Sequence, residues 1–314
     1  MGLFGLGKKK DKGAEAKKDS LQNDAAINDM ATKTKNAGTG EDKSQNEDKS
    51  ENDSDSQVGA FAGFVLLSEP EWDKEQLAKD LKSEWGIKVP AKELNSSDEK
   101  YKDIILFEVK DISIAISFIP APVPEDEVEH YARANYMWKD AVEVTKTHKA
   151  QILVAILGNE TDLCKKGAIF TKVVSSCLNQ KYALGVYTDG AVYEKNFYRE
   201  GASMAKNDGL PILNLVWFGI YRDEKQAGIY TYGLKKFGKD EIEVYVTPDN
   251  ADFASVDYNG IRDFVLNIVV YVLDSNVVLR DGETIGFTAE QKLPITKSKG
   301  LALDGETLKI EYCN

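Results

Sequence analysis

Histidine is almost missing from this chain: His130 and His148 are the only two in 314 residues. Nucleophilic hydrolase chemistry needs a histidine base beside its serine or cysteine. The nearest approach to G-x-S-x-G is Gly201-Ala202-Ser203-Met204-Ala205, which lacks the last glycine and falls in a predicted helix. Both histidines precede it, whereas the α/β-hydrolase order places the histidine after the serine. That chemistry is excluded. Cysteine is scarce as well: Cys164, Cys177 and Cys313 form an odd set without CxxC spacing. Neither a disulfide framework nor a thiolate zinc site fits, and a reducing compartment does. Long apolar runs are lacking, since the longest, Val265 to Leu273, is interrupted by Asn267; a bilayer span takes about 20 residues. No secretory signal is read, because Lys8, Lys9 and Lys10 follow the short apolar start instead of preceding it. Positive charge is in deficit, with 40 Lys and Arg against 52 Asp and Glu, a net charge of -12. Nucleic acid is therefore not an expected partner, because such affinity comes from cations neutralising phosphates. The expectation is a cytoplasmic protein of bacterial type.

Phosphate and cofactor motifs are also lacking. Gly228 and Gly233 have P-loop spacing, but Leu234 stands where the lysine is required and no Ser or Thr follows Lys235. There is no GxGxxG, and no cofactor is expected.

What is present divides into a tail and a globular region. Residues 1–58 hold a single aromatic, Phe4, among Lys, Asp, Glu, Ser, Asn and Ala. Such a composition cannot bury enough apolar surface to offset its ordering entropy, so a disordered tail is expected. Its first ten residues, MGLFGLGKKK, place Leu3, Phe4 and Leu6 before three lysines. A weak contact of this segment with an anionic membrane surface is one reading; a solvated, neutral terminus is the other. Gly2 does not make a myristoylation motif, since Leu6 occupies the position of the required Ser or Thr.

From residue 59 the periodicity becomes regular. Gly63 to Leu67 reads as a buried strand, and Ser68 with Glu71 as a capping box before a helix carrying Leu77, Leu81 and Trp85, ended by Gly86. Ile104–Val109 is a strand, Lys110-Asp111 a hairpin step, and Ile112, Ile114, Ile116 and Phe118 alternate as a half-buried strand. Pro120, Pro122 and Pro124 break the pattern, and Glu125, Asp126 and Glu127 crowd a first helical turn. That helix runs to about Trp138, a short one continues through Val144, and Ile152–Leu157 is again a strand. The order β-α-β-β-α-β is the ferredoxin-like unit.

The second stretch reads similarly. Thr161 opens a helix with Leu163, Phe170, Val174 and Cys177, followed by a strand Ala183–Tyr187 and a helix with Tyr193, Phe197 and Met204 on one side. Strands follow at Ile212–Tyr221, Ile229–Tyr232 and Ile242–Val246, then an amphipathic helix Ile261–Val272 and a strand Thr284–Phe287. Asp281-Gly282 and Asp304-Gly305 are hairpin turns in which glycine supplies φ > 0. The expected fold class is α+β: two tandem ferredoxin-like halves, 59–158 and 159–314, sharing one sheet or packing face to face.

The segment Gly228-Ile229-Tyr230-Thr231-Tyr232-Gly233-Leu234-Lys235-Lys236-Phe237-Gly238-Lys239-Asp240-Glu241-Ile242-Glu243, continued by Leu279-Arg280-Asp281-Gly282-Glu283-Thr284-Ile285-Gly286, resembles the bacterial family described as domain of unknown function 4261. The resemblance is clearest over 228–312 and looser over 60–314. It implies a family and no mechanism.

Candidate chemistry then rests on few residues. Glu127 and His130 share one helix face, yet with His148 they make a poor zinc set without a soft third ligand, and no metal is expected. Glu241 and Glu243 share a strand face. Pointed outward they form an acidic rim, which is the expected placement; pointed inward, desolvation raises a carboxyl pKa. Trp138, Tyr230, Tyr232, Phe237 and Glu241 combine aromatics, glycine bends and a carboxylate, the lining of ligand pockets and interfaces as well as of ordinary cores. The leading expectation is a non-catalytic binding or interaction protein with a protein partner or self-association, and Glu127, Trp138, His148, Tyr232 and Glu241 as binding residues. The rival is an enzyme with an acidic site built from Glu127, Glu241 and His148.

Overall fold

A glycine at 63 lets one side chain of a neighbouring strand and one of a covering helix approach strand β1 (Phe61–Leu67), the strand the apolar run predicts. A Cβ there would lie 2.7 Å from Thr188 and 3.0 Å from the Phe170 ring. The computed structural model describes residues 58–95, 102–158, 160–188, 190–247, 256–288 and 290–312, all within the unit Asp48–Asn314. The expectations for the tail and for Cys313 lie outside these residues, apart from Val58.

Helix α1 (Lys74–Trp85) begins where Asp73 accepts the Gln76 N–H, so Asp73 and not Ser68 is the cap; it ends at Gly86, φ 69°. A short α2 (Ala91–Leu94) follows. Strands β2 (Ile104–Val109) and β3 (Ile112–Ile119) form the expected hairpin, with Lys110 and Asp111 both at positive φ. The apparent alternation of β3 misleads, because Ser113 and Ala115 are buried as well. Helices α3 (Glu127–Ala132) and α4 (Ala141–Thr145) replace the longer helix expected as far as Trp138. The break is held by Asn135, whose carboxamide oxygen accepts both the Met137 and Trp138 N–H groups at 2.9 Å. Next come β4 (Ala150–Leu157), α5 (Leu163–Cys177, capped by Asp162), β5 (Ala183–Thr188), β6 (Ala191–Glu194) and α6 (Lys195–Ala202).

The first sheet has the order β2-β3-β4-β1-β5-β6, antiparallel throughout. This corrects the ferredoxin-like expectation, which requires β1 between β3 and β4. Here β3 and β4 are direct antiparallel neighbours, Ser113 facing Leu157 and Ile119 facing Gln151. A six-residue helix spans about 9 Å and an eight-residue strand about 26 Å, so neither α3 nor α4 forms the single crossover helix that the expected order uses. The chain re-enters at the end it left. One face of the sheet carries α1 and α5 over Val65, Ile114, Val154 and Val186; the other carries α3 and α4 over a smaller separate cluster that includes Leu66, Val128 and Tyr187.

The second sheet follows a short helix α7 (Ile212–Leu215), at residues where a strand had been expected. Its strands are β7 (Trp217–Arg222), β8 (Ala227–Tyr232), β9 (Ile242–Val246), β10 (Thr284–Ile285), β11 (Leu293–Lys299) and β12 (Glu306–Glu311). Their order is β10-β11-β12-β9-β8-β7, with β9 and β12 parallel. Helix α8 (Tyr258–Asp274), capped by Asp257, makes the crossover that a parallel pair demands. It lays Ile261, Phe264, Val265, Ile268 and Val272 on the face carrying Ile229, Val244 and Ile310. The fold is thus mixed α+β with two sheets and several helices. The main core runs through both sheets, and α5 makes the join. At Gly167 a Cβ would stand 3.0 Å from Leu215 and 3.1 Å from the Phe61 ring, so the backbone of α5 touches both halves. Among the described residues no helix is long and apolar enough to cross a membrane.

Candidate functional site: a cleft beside the crossover helix

Four of the five candidate binding residues lie about the smaller cluster on the first sheet, Tyr232 by way of Gly190, whose added Cβ would also stand 3.3 Å from the Tyr131 ring; Glu241 lies apart from them. Glu127, in the first turn of α3, accepts the Tyr187 hydroxyl proton at 2.5 Å. Trp138 leans over Gly185, where a Cβ would meet its ring at 3.0 Å, and belongs to the smaller cluster beneath the first sheet. His148 is buried; its Nε2 accepts the Val123 N–H at 3.0 Å and its Nδ1 lies 2.5 Å from the Thr145 carbonyl. Tyr232 is exposed and lies beside Gly190, whose added Cβ would be 3.2 Å from its ring. Glu241 sits just before β9 of the second sheet, accepting from Thr231 Oγ1 (2.7 Å), Gly233 N (2.8 Å) and Lys235 N (3.3 Å).

Glu241 and Glu243 correct the acidic-rim expectation. Glu241 is 3% exposed and Glu243 wholly buried. Burial pushes the Glu241 carboxyl above its ordinary value, opposed by its bonds to Thr231 and to the turn 233–235. Glu243 turns to the β11–β12 loop and accepts from Leu301 N (2.7 Å), Ala302 N (2.9 Å), Leu303 N (3.2 Å) and Thr307 Oγ1 (3.0 Å). A carboxylate with that many backbone donors is spoken for, and both residues act as clasps on loops. Glu127, His148 and Glu241 make their hydrogen bonds to different partners. Among the described residues no group of three His, Cys, Asp or Glu side chains is placed to hold a metal ion.

The open space lies elsewhere. After α8 the chain turns back at Asn276 and runs beside the helix to Phe287, leaving a cleft of about 940 Å³. Phe264, Ile268 and Tyr271 form its helix wall, spaced i, i+4, i+7 on one stripe; Val278, Thr284 and Phe287 line the other side. The Phe287 ring meets Phe264 edge-on, centroids 4.8 Å apart. Tyr271, Val278 and Phe287 are each about half exposed, at 49%, 49% and 55%. Polar groups stand at its margins: Arg280 and Glu283 pair loosely at 3.5 Å, and Lys239 donates to Asn276 Oδ1 at 2.8 Å. Partial burial pushes the Lys239 amine below its ordinary value.

Residues 230–311 match the family model described as Domain of unknown function (DUF4261). No curated protein and no solved structure matches the chain. Every lining residue of the cleft, from Phe264 to Phe287, lies inside the matched stretch. Sequence reasoning missed the cleft because Tyr271 and Phe287 read as fillers of a helix and a strand. One sign was available: Val270 and Tyr271 widen the apolar arc of α8 beyond what one buried face requires.

Proposed function

We propose that this chain is a non-catalytic binding protein that takes apolar side chains of a protein partner into the cleft between α8 and residues 276–287. The observation that carries the reading is the exposure of Tyr271, Val278 and Phe287 around one concave space. Large apolar residues gathered about a hollow with a polar margin are the anatomy of a recognition surface. Scattered singly they would mean nothing. The buried carboxylates lend no rival chemistry, because their oxygens are occupied by loop donors.

The test is affinity capture from the native host with the wild-type chain and with a Tyr271→Asp/Phe287→Asp variant. Aromatic anchors at the centre of an interface are worth about 2 kcal/mol or more each. The partner retained by the wild type should therefore fall by at least about tenfold with the variant, at unchanged far-ultraviolet circular dichroism. Equal capture by both proteins contradicts the reading.

Self-association is the second reading, and edge strand β7 favours it. It is six residues long and ends the second sheet. The Tyr136 hydroxyl takes its Phe218 carbonyl at 2.8 Å, but beyond it Ile220 is 39% exposed, and an edge open there pairs with another copy. Sedimentation that shows dimers weakened by Ile220→Lys supports it; a monomer at every concentration ends it.

A further inference from the structure

Two tyrosine rings, one from the layer over the first sheet and one from the second sheet, meet over a glycine. Gly190 lies in the turn between β5 and β6 with φ 76°, a left-handed conformation that suits a residue without a side chain. A Cβ built on it would lie 3.2 Å from Tyr232 Cε1 and 3.3 Å from Tyr131 Cε1. Tyr131 belongs to α3 and Tyr232 ends β8. The missing Cβ is what lets both rings reach one point. Cε1 is the carbon ortho to the phenol oxygen, and a phenoxyl radical shares its unpaired electron among the oxygen, the ortho carbons and the para carbon. The para carbon already carries the side-chain stem. The ortho carbons are therefore where tyrosyl radicals join, and here two of them face each other.

Tyr187 lies behind Tyr131. It is 4% exposed, and its ring stacks on Tyr131 (centroids 5.7 Å apart, planes at 23°) and on Phe64 (6.0 Å, 14°), within the usual spacing of offset-stacked rings. Its hydroxyl donates to Glu127 Oε1 at 2.5 Å, the length of a strong O–H···O⁻ bond. A phenol gives up an electron readily only when its proton leaves in the same step, because the radical cation is a strong acid. Glu127 is placed to take that proton, within a cluster of apolar side chains.

We propose that Tyr131 and Tyr232 form a site of oxidative crosslinking served by Tyr187: under one-electron oxidation driven by a peroxide, the two rings join as dityrosine and tie α3 to β8. Tyr131 loses one electron and its phenolic proton. Tyr187 refills it across the stack and holds the vacancy, with its own proton resting on Glu127, until Tyr232 loses an electron and a proton in turn. The electron and the Glu127 proton then return to Tyr187, leaving radicals on Tyr131 and Tyr232. A Cε1–Cε1 bond forms, and the hydrogen on each joined carbon moves to its oxygen, which restores both phenols. In total, two hydrogen atoms leave the protein and one hydrogen peroxide becomes two waters. The site is independent of the cleft beside α8.

The experiment treats the full wild-type chain with hydrogen peroxide and a peroxidase, then maps the denatured, monomer-sized fraction by mass spectrometry after digestion. Expected is a peptide pair joining positions 131 and 232, lighter by two hydrogens and carrying dityrosine fluorescence. The pair should be lost in Tyr131→Phe and in Tyr232→Phe. It should form more slowly in Tyr187→Phe and in Glu127→Gln, whose carboxamide still accepts the Tyr187 hydroxyl but takes no proton, at unchanged circular dichroism. Accessibility alone favours Tyr271, 49% exposed, over Tyr232 at 36%. Crosslinks running mainly through Tyr271 or only between chains therefore overturn the proposal, as does a wild-type chain in which Tyr131 and Tyr232 stay unjoined; both results need no variant. Crosslinking at the wild-type rate in Tyr187→Phe or Glu127→Gln overturns it as well.

Discussion

The two sheets have six strands each and handle polar groups in opposite ways. The first keeps its centre apolar and uses polar side chains at its flank. His148 and Gln151 there bind loop backbone at Val123 N and Ala121 O, and Asn135 binds strand β6 at Val192 O. The second places two carboxylates at and beside its central strand β9 and closes turns over them. The contrast shows what each region tolerates. A layer fastened at its margin can open locally, whereas a loop clasped by a buried carboxylate opens only if the sheet itself gives way.

The largest expected effect that sharpens this contrast comes from Glu243→Ala. It leaves Leu301, Ala302, Leu303 and Thr307 donors without an acceptor, at a cost of roughly 3–4 kcal/mol in unfolding free energy. Denaturant titration measures it. A loss below about 1 kcal/mol would mean that water serves those donors and the clasp is dispensable.

A smaller effect concerns Glu241. Burial raises its folded-state pKa above that of the unfolded chain, so the folded state binds this proton more tightly. Ionisation then costs the folded state more than the unfolded one, and the associated stability is lost as pH rises from the ordinary carboxyl range through the raised value. Glu241→Gln should remove that downward slope, leaving a flatter stability profile on the alkaline side of the ordinary carboxyl range. A wild-type profile with the same slope as the variant would show that the bonds from Thr231 and Gly233 fully balance desolvation.

Sequence pattern reached local structure better than topology. The hairpin at Lys110-Asp111, the stop at Gly86 and the stripe of α8 each depend on a few adjacent residues, and each stands where expected. The ferredoxin-like order failed because strand neighbours depend on how far a connection reaches. Asn135 shortens that connection by a side-chain bond that no periodicity records. Tyr193, Phe197 and Met204 mimic a helical face. Yet Tyr193 lies in β6, paired with Val186, and Met204 is exposed. Pro211 precedes a helical turn at Ile212 where an apolar run had suggested a strand. The carboxylates were visible as residues, but not as buried clasps, because their donors come from backbone 58 to 60 positions away in the case of Glu243. The cleft was illegible for the same reason: it forms only where the chain after Asn276 doubles back along α8.

The central claim, that recognition occurs beside α8, is tested most directly by photo-crosslinking from position 271 with a benzophenone side chain, compared with the same group at Met204, which is similarly exposed at 52% but lies just after α6, outside the cleft lining. The account predicts a discrete heavier adduct from position 271 in host extract and none from position 204. Equal adducts from both positions, or an adduct from position 204 alone, would contradict it.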